Sequence, residues 1–112
     1  METLMQEILE ELLIELELDA NNEEDTKSID ILKIKLKNAM REVKQAFNFK
    51  DYHSEEFVLQ EMTSAIANIK ALAIYDYVKV GAEHESSHSE KNISRNYTSR
   101  QECFSGIVRF AD

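Results

Sequence analysis

A mainly α-helical fold, a small bundle in one domain, is what this sequence predicts, on three observations. Apolar residues recur at three- and four-residue steps through most of the chain, the period of a helix with one buried stripe. Proline is absent and glycine occurs twice, so backbone chemistry forces few turns, and long helices joined by polar loops are the simplest reading. A length of 112 residues, 43% of them hydrophobic and 31% charged, describes one ordinary soluble globular domain able to bury about two-thirds of its unfolded surface. The expected arrangement is three main helices plus a short C-terminal helix, with an extended arm or short strand between residues 83 and 98.

The first helix is expected over residues 1–18. Leu4, Met5, Ile8, Leu9, Leu12, Leu13 and Leu16 keep the helical period, and Glu2, Glu7, Glu10, Glu11, Glu15 and Glu17 occupy the remaining surface. Ile14 and Leu18 fall off the stripe and widen the apolar surface beyond what one neighbouring helix covers, which makes them candidate subunit contacts. Residues 19–25 carry no apolar periodicity and read as a solvated turn. The second helix is expected over residues 28–47, capped by Asp25, Thr26 or Ser28, with Ile29, Leu32, Leu36, Ala39, Met40, Val43 and Phe47 on its buried face. Ile31 and Ile34 lie on another face and are further candidate subunit contacts.

Every charged residue before Lys27 is acidic, whereas Lys33, Lys35, Lys37, Arg41 and Lys44 make the second helix mostly basic. Two arrangements satisfy that opposition: side-by-side packing within the protomer, or a head-to-tail meeting of neighbouring subunits, where complementarity sets register and orientation more than affinity.

Residues 48–53 form a connecting loop with Phe49 and Tyr52 tucked under it. The central helix is expected over residues 54–80: Val58, Met62, Ala65, Ile66, Ile69, Leu72 and Ala73 form one buried stripe, Ser54 caps, and Glu55 and Glu56 suit the positive end of the dipole. Gly81 is expected to end it. Residues 93–98 alternate like a short strand, and residues 99–110 start a short helix anchored by Phe104, Ile107, Val108 and Phe110.

The net charge of −9 argues against general nucleic-acid binding, because such a surface repels phosphates instead of releasing their counterions. The single cysteine, Cys103, permits no internal disulfide and reads as a small buried hydrophobe in an intracellular protein. The acid-rich first stretch resembles neither a signal peptide nor a membrane span.

Candidate chemistry concentrates in the polar segment after Gly81. His84 and His88 are four apart beside Glu83, Glu85 and Glu90, a spacing that could place two imidazoles on one metal if the segment were helical. A Ser-rich segment past a helix-stopping glycine removes the geometric meaning of that spacing. Ser87-His88-Ser89-Glu90 offers a nucleophile, a base and a carboxylate, but the members of a triad converge from separate elements and not from adjacent residues. Tyr75 and Tyr77 read as core or subunit-contact aromatics, since no basic patch accompanies them for base stacking. Gly81 and Gly106 stand alone, so no phosphate-binding loop is present. The expectation is therefore a non-enzyme with no catalytic residue, metal or cofactor.

The segment from Ala73 to Tyr97 resembles the head–tail connector (adaptor) family of tailed bacteriophages. That family's pattern is an apolar helix ending in a glycine, a Ser-His-Ser-Glu stretch, a glycine pair and an Ile/Val-Ser-Arg-Ser-Tyr strand. Gly81, Ser87, His88, Ser89, Glu90, Ile93, Ser94, Arg95 and Tyr97 match it, while Lys91-Asn92 stands where the glycine pair is expected. The ending Cys103-Phe-Ser-Gly-Ile-Val-Arg-Phe-Ala111 is also similar to members of the family. The likeness covers about Asp25 to the end, with its specific motif in residues 81–97.

The resemblance implies a structural virion protein, made in the cytoplasm of a bacterial host. Its protomers would assemble as a ring of about twelve under the portal protein, joining the DNA-filled capsid to tail-completion or tail proteins. It implies that the matched residues are protein contacts, with Arg95 pairing to a carboxylate and Tyr97 burying its ring, and that DNA passes through the channel without specific binding. No membrane is involved. The alternative, from a different class, is a small helical protein-binding or regulatory module acting as a dimer.

Overall fold

A computed structural model of the chain describes residues 1–79 and 100–111 with their side chains and residues 80–83 as helical backbone. Within them the chain is all helical: α1 (Glu2–Glu15), α2 (Glu23–Phe47), α3 (Glu55–Ser64), α4 (Ile66–Glu83) and a 3₁₀ turn over Arg100–Phe104. α2 and α4 pack along each other as the central pair, α1 lies on both, and α3 and the 3₁₀ turn close against α4.

α1 buries Leu4, Ile8, Leu9 and Leu12, the predicted stripe. It ends at Glu15 with Leu16 as its cap, three residues sooner than expected, because Glu17 turns left-handed at φ 57°. The Glu17 N–H then bonds the Ile14 carbonyl at 3.1 Å and the Leu18 N–H bonds the Leu13 carbonyl at 2.8 Å, which is the pairing of a Schellman ending. Leu18 is thereby folded back, half-buried against the core.

α2 begins at Glu23, five residues before the predicted Ser28. Its cap is Asn22, whose side-chain oxygen accepts from the Glu24 N–H at 2.9 Å, and Glu23, Glu24 and Asp25 set negative charge on the first turn. That turn is entirely polar, so apolar periodicity could not announce it. Ile29, Leu32, Leu36, Ala39, Met40, Val43 and Phe47 are all buried, the predicted face in full.

The expected central helix over residues 54–80 is two helices, so there are four α-helices where three main ones were expected. Ser54 caps α3 as predicted, accepting from the Phe57 N–H at 3.1 Å. At the other end the Thr63 hydroxyl donates to the Leu59 carbonyl and the Ser64 hydroxyl to the Glu61 carbonyl, each at 2.7 Å. Hydroxyls that claim carbonyls of the preceding turn compete with the backbone ladder. The Ala65 N–H bonds Met62 three residues back at 3.0 Å, and the helix breaks for that one residue before restarting at Ile66. Nor does Gly81 end α4, which continues to Glu83. Glycine in a helix costs about 1 kcal/mol relative to alanine, a penalty the good helix former at position 82 helps to offset.

The core joins α1, α2 and α4 through Ile8, Leu12, Leu32, Leu36, Val43, Ile69 and Leu72, with Met62 of α3 and Cys103 of the 3₁₀ turn, each 2% exposed or less. Tyr77 is buried and Tyr75 half-buried, in line with the core reading of both. The predicted arm over residues 83–98 lies outside the described residues beyond Glu83.

Candidate functional site

Two of the four candidate contact residues are placed on the surface. Ile14 is 78% exposed on the outside of α1 and Ile34 is 59% exposed on the outside of α2. Ile31, like Leu18, is half-buried against the core. Gly81 sits within α4, and Ser87, His88, Ser89, Glu90, Ile93, Ser94, Arg95 and Tyr97 lie outside the described residues.

Each exposed isoleucine belongs to a charged ridge. On α1, Glu7, Glu10 and Ile14 follow one another at steps of three and four, all exposed. On α2, Ile34, Lys37, Arg41 and Lys44 follow at steps of three, four and three, and all are exposed. Round the flank of α1 from that ridge, Glu11 and Glu15 accept from the Lys70 ammonium of α4 at 2.5 and 2.8 Å. Glu7 and Glu10 on α1 and Lys37, Arg41 and Lys44 on α2 keep their charge outward.

Beside the α2 ridge is an open groove of about 420 Å³ lined by Met1, Met5, Met40 and Met62 with Lys37, Arg41 and Lys44 along it. All four methionines of the chain meet here. Unbranched thioether side chains give a floor that adapts to different shapes. A second groove of about 600 Å³ shares Met1 and Lys44 and runs past His53, Glu55, Glu56 and Leu59.

The C-terminal segment is held by contacts that the sequence did not announce. The Arg100 guanidinium bridges α2 and α4: Nε and one terminal nitrogen donate to Asp76 at 2.9 and 2.8 Å, and both terminal nitrogens donate to Glu42, one of them at 2.8 Å. Its hydrogen bonds to Asp76, then to Glu42, raise the arginine's pKa above its ordinary value. The Asn68 amide donates to the carbonyls of Cys103 and Ser105 at 2.9 and 2.7 Å. Further on, Asn48 in the left-handed conformation at φ 59° caps α2 and donates from its side chain to the Phe110 carbonyl at 2.9 Å, while the Phe110 N–H donates to Phe47 at the same distance.

Around that junction Phe47, Phe49, His53, Phe57 and Phe110 form one aromatic cluster, with His53 4.9 Å from Phe57 and 4.8 Å from Phe110 between ring centroids. His53 Nδ1 accepts from the Lys50 N–H at 2.9 Å, which leaves the proton of the neutral ring on Nε2. Phe49 is tucked in as expected, but Tyr52 is 79% exposed and only lays its ring on His53 at 4.6 Å. Val108, a predicted anchor, is 75% exposed, because Gly106 at φ 88° turns the chain there and Ile107 and Phe110 face inward instead. Cys103 is buried at 2% exposure, as predicted, and burial pushes its thiol pKa up, with the Asp76 charge adding to it.

Among the described residues no group of three or more His, Cys, Asp or Glu could hold a metal ion, and no helix is long and apolar enough to cross a membrane. His84 and His88 lie outside those residues. The features that stand out are therefore surfaces: two charged ridges bearing exposed isoleucines and a methionine-lined groove. Comparison with known protein families, with curated proteins and with solved structures gives no match.

Proposed function

We propose that the chain is a head–tail connector of a tailed bacteriophage, a structural protomer that assembles as a ring under the portal and joins capsid to tail. The reading rests on the likeness of residues 73–97 and 103–111 to that family. The structural observation that supports it is the pair of outward ridges, acidic with Ile14 at 78% exposure and basic with Ile34 at 59%. Single exposed apolar residues are ordinary on a monomer; in an assembling protomer, one set in a charged ridge excludes water at a contact whose charges set the register. In this role the segment over residues 84–98 contacts the portal or a neighbour through Arg95 and Tyr97. The net charge of −9 suits a channel through which DNA slides without sticking.

The deciding experiment is solution mass over a range of protein concentration, alone and with portal protein. A closed ring, formed alone or on the portal, supports the connector. A stable dimer that ignores portal protein overturns it in favour of a small helical regulatory module.

A further inference from the structure

We infer that α1 of one copy packs antiparallel on α2 of another, the acidic ridge on the basic one, with Ile14 seated beside Ile34. This names the contact between copies, and it stands on the two ridges themselves; only its place in a virion rests on the connector reading.

Three observations carry it. Read from opposite ends the ridges have the same spacing: Glu7, Glu10 and Ile14 on α1 advance by three and four, and Lys44, Arg41 and Lys37 on α2 go back by three and four, with Ile34 three residues further. They are opposite in charge, two acids and an isoleucine against three cations and an isoleucine. And both are outward in the protomer, since α1 sends Glu11 and Glu15 to Lys70 and buries its stripe on α2 and α4.

Orientation follows from where the isoleucines stand. Ile14 is third along its ridge and Ile34 first along its own. Run parallel, the two ridges set Ile34 against Glu7 and Ile14 against Arg41, so each apolar side chain meets a charge alone. Run antiparallel, Glu7 comes to Lys44 and Glu10 to Arg41, while Ile14 comes to Lys37 with Ile34 one step further along, near enough for the two isoleucines to shield each other from water. The acid flank also closes over the methionine groove that Lys37, Arg41 and Lys44 border. A second copy is the occupant because it carries the matching charge and spacing on its own surface.

The test uses two doubly substituted chains, E7K/E10K and K37E/K44E, with Ile14→Ser as a third variant. Every substituted residue is exposed, so circular dichroism should match the parent chain. Each charge-reversed chain alone should fail to associate, and an equimolar mixture of the two should regain the assembly, since each then offers the other's complement. Ile14→Ser should raise the concentration for half-assembly about tenfold while leaving its salt dependence unchanged. A parent chain that stays monomeric at every concentration overturns the contact, as does an assembly indifferent to both reversals or a mixture that does not recover. The connector reading fails separately: a dimer with the same mixing rescue keeps this contact and removes the ring, and a ring insensitive to the reversals keeps the ring and removes this contact.

Discussion

Arg100 is the residue whose loss the fold should feel most at a single polar position. Its guanidinium satisfies Glu42 and Asp76 together, so replacing it by methionine leaves two carboxylates facing a site that no longer supplies charge. The side chain is 38% exposed, so water softens the penalty, and Arg100→Met should cost about 1–2 kcal/mol rather than the 3–5 of a fully buried pair. Urea midpoints measure it, and adding Glu42→Gln and Asp76→Asn to that variant should recover part of the loss. A second prediction concerns alkaline pH. Burial alone would lower the Lys70 ammonium's pKa, but the hydrogen bonds to Glu11 and Glu15 outweigh it and the folded value stands above 10.5; burial holds the Cys103 thiol above 9.0. Both folded values are raised, so both contributions are complete below the unfolded values and are lost as pH rises, the thiol's from 9.0 upward and the ammonium's from 10.5. Stability should therefore fall in two stages above pH 9.0, and Cys103→Ala should remove the first stage alone in a urea series against pH. None of these partners was legible in the sequence: Arg100 is 58 residues from Glu42 and Lys70 is 59 from Glu11, and side-chain pairing at that range depends on how helices dock.

At the level of single helices, periodicity read well and ends read poorly. The buried face of α2 was predicted residue for residue, because seven apolar positions over five turns leave one solution. Its start was missed because Asn22 caps a turn without apolar residues, and the break at Ala65 because two hydroxyls acting on the backbone leave the apolar stripe uninterrupted across it. Gly81 misled in the other direction: a glycine permits a helix to end without requiring it. The end of α1 yields a prediction. Glu17 holds φ 57° at the position where a Schellman ending favours glycine, and a side chain there costs about 1 kcal/mol. Glu17→Gly keeps both terminal hydrogen bonds and should stabilise the protein by about 0.5–1 kcal/mol, seen as a higher urea midpoint with an unchanged slope. Gly81→Ala, in the last turn of α4, should also raise the urea midpoint, but by less than the ~1 kcal/mol that a glycine costs in a helix interior.

The described residues span 45 × 31 × 17 Å between Cα atoms, about two packed helices deep in the least direction. A bundle two helices deep leaves one side of each helix to solvent, and Ile14 and Ile34 stand on that side at 78% and 59% exposure. The sequence showed both isoleucines as surplus to the stripes; it could not show Leu18 and Ile31 turning back into the core, because that depends on a left-handed residue in one case and on the docking of a neighbouring helix in the other. Thinness also makes the C-terminal segment indispensable. Cys103, Phe104, Ile107 and Phe110 pack on a core that has few layers beneath it, and Asn48, Asn68 and the Glu42–Asp76 pair each bond this segment. Burying four such side chains is worth about 1–3 kcal/mol apiece, against a total stability of about 5–15 kcal/mol for a domain of this size. Removing residues 100–112 should therefore abolish the cooperative urea transition while leaving much of the far-ultraviolet helix signal, and the exposed faces of Phe47, Phe57 and Ile69 should bind a hydrophobic dye. A truncated chain that keeps a sharp transition and binds no dye would show that α1, α2 and α4 are self-sufficient and that the segment is a passenger on their surface.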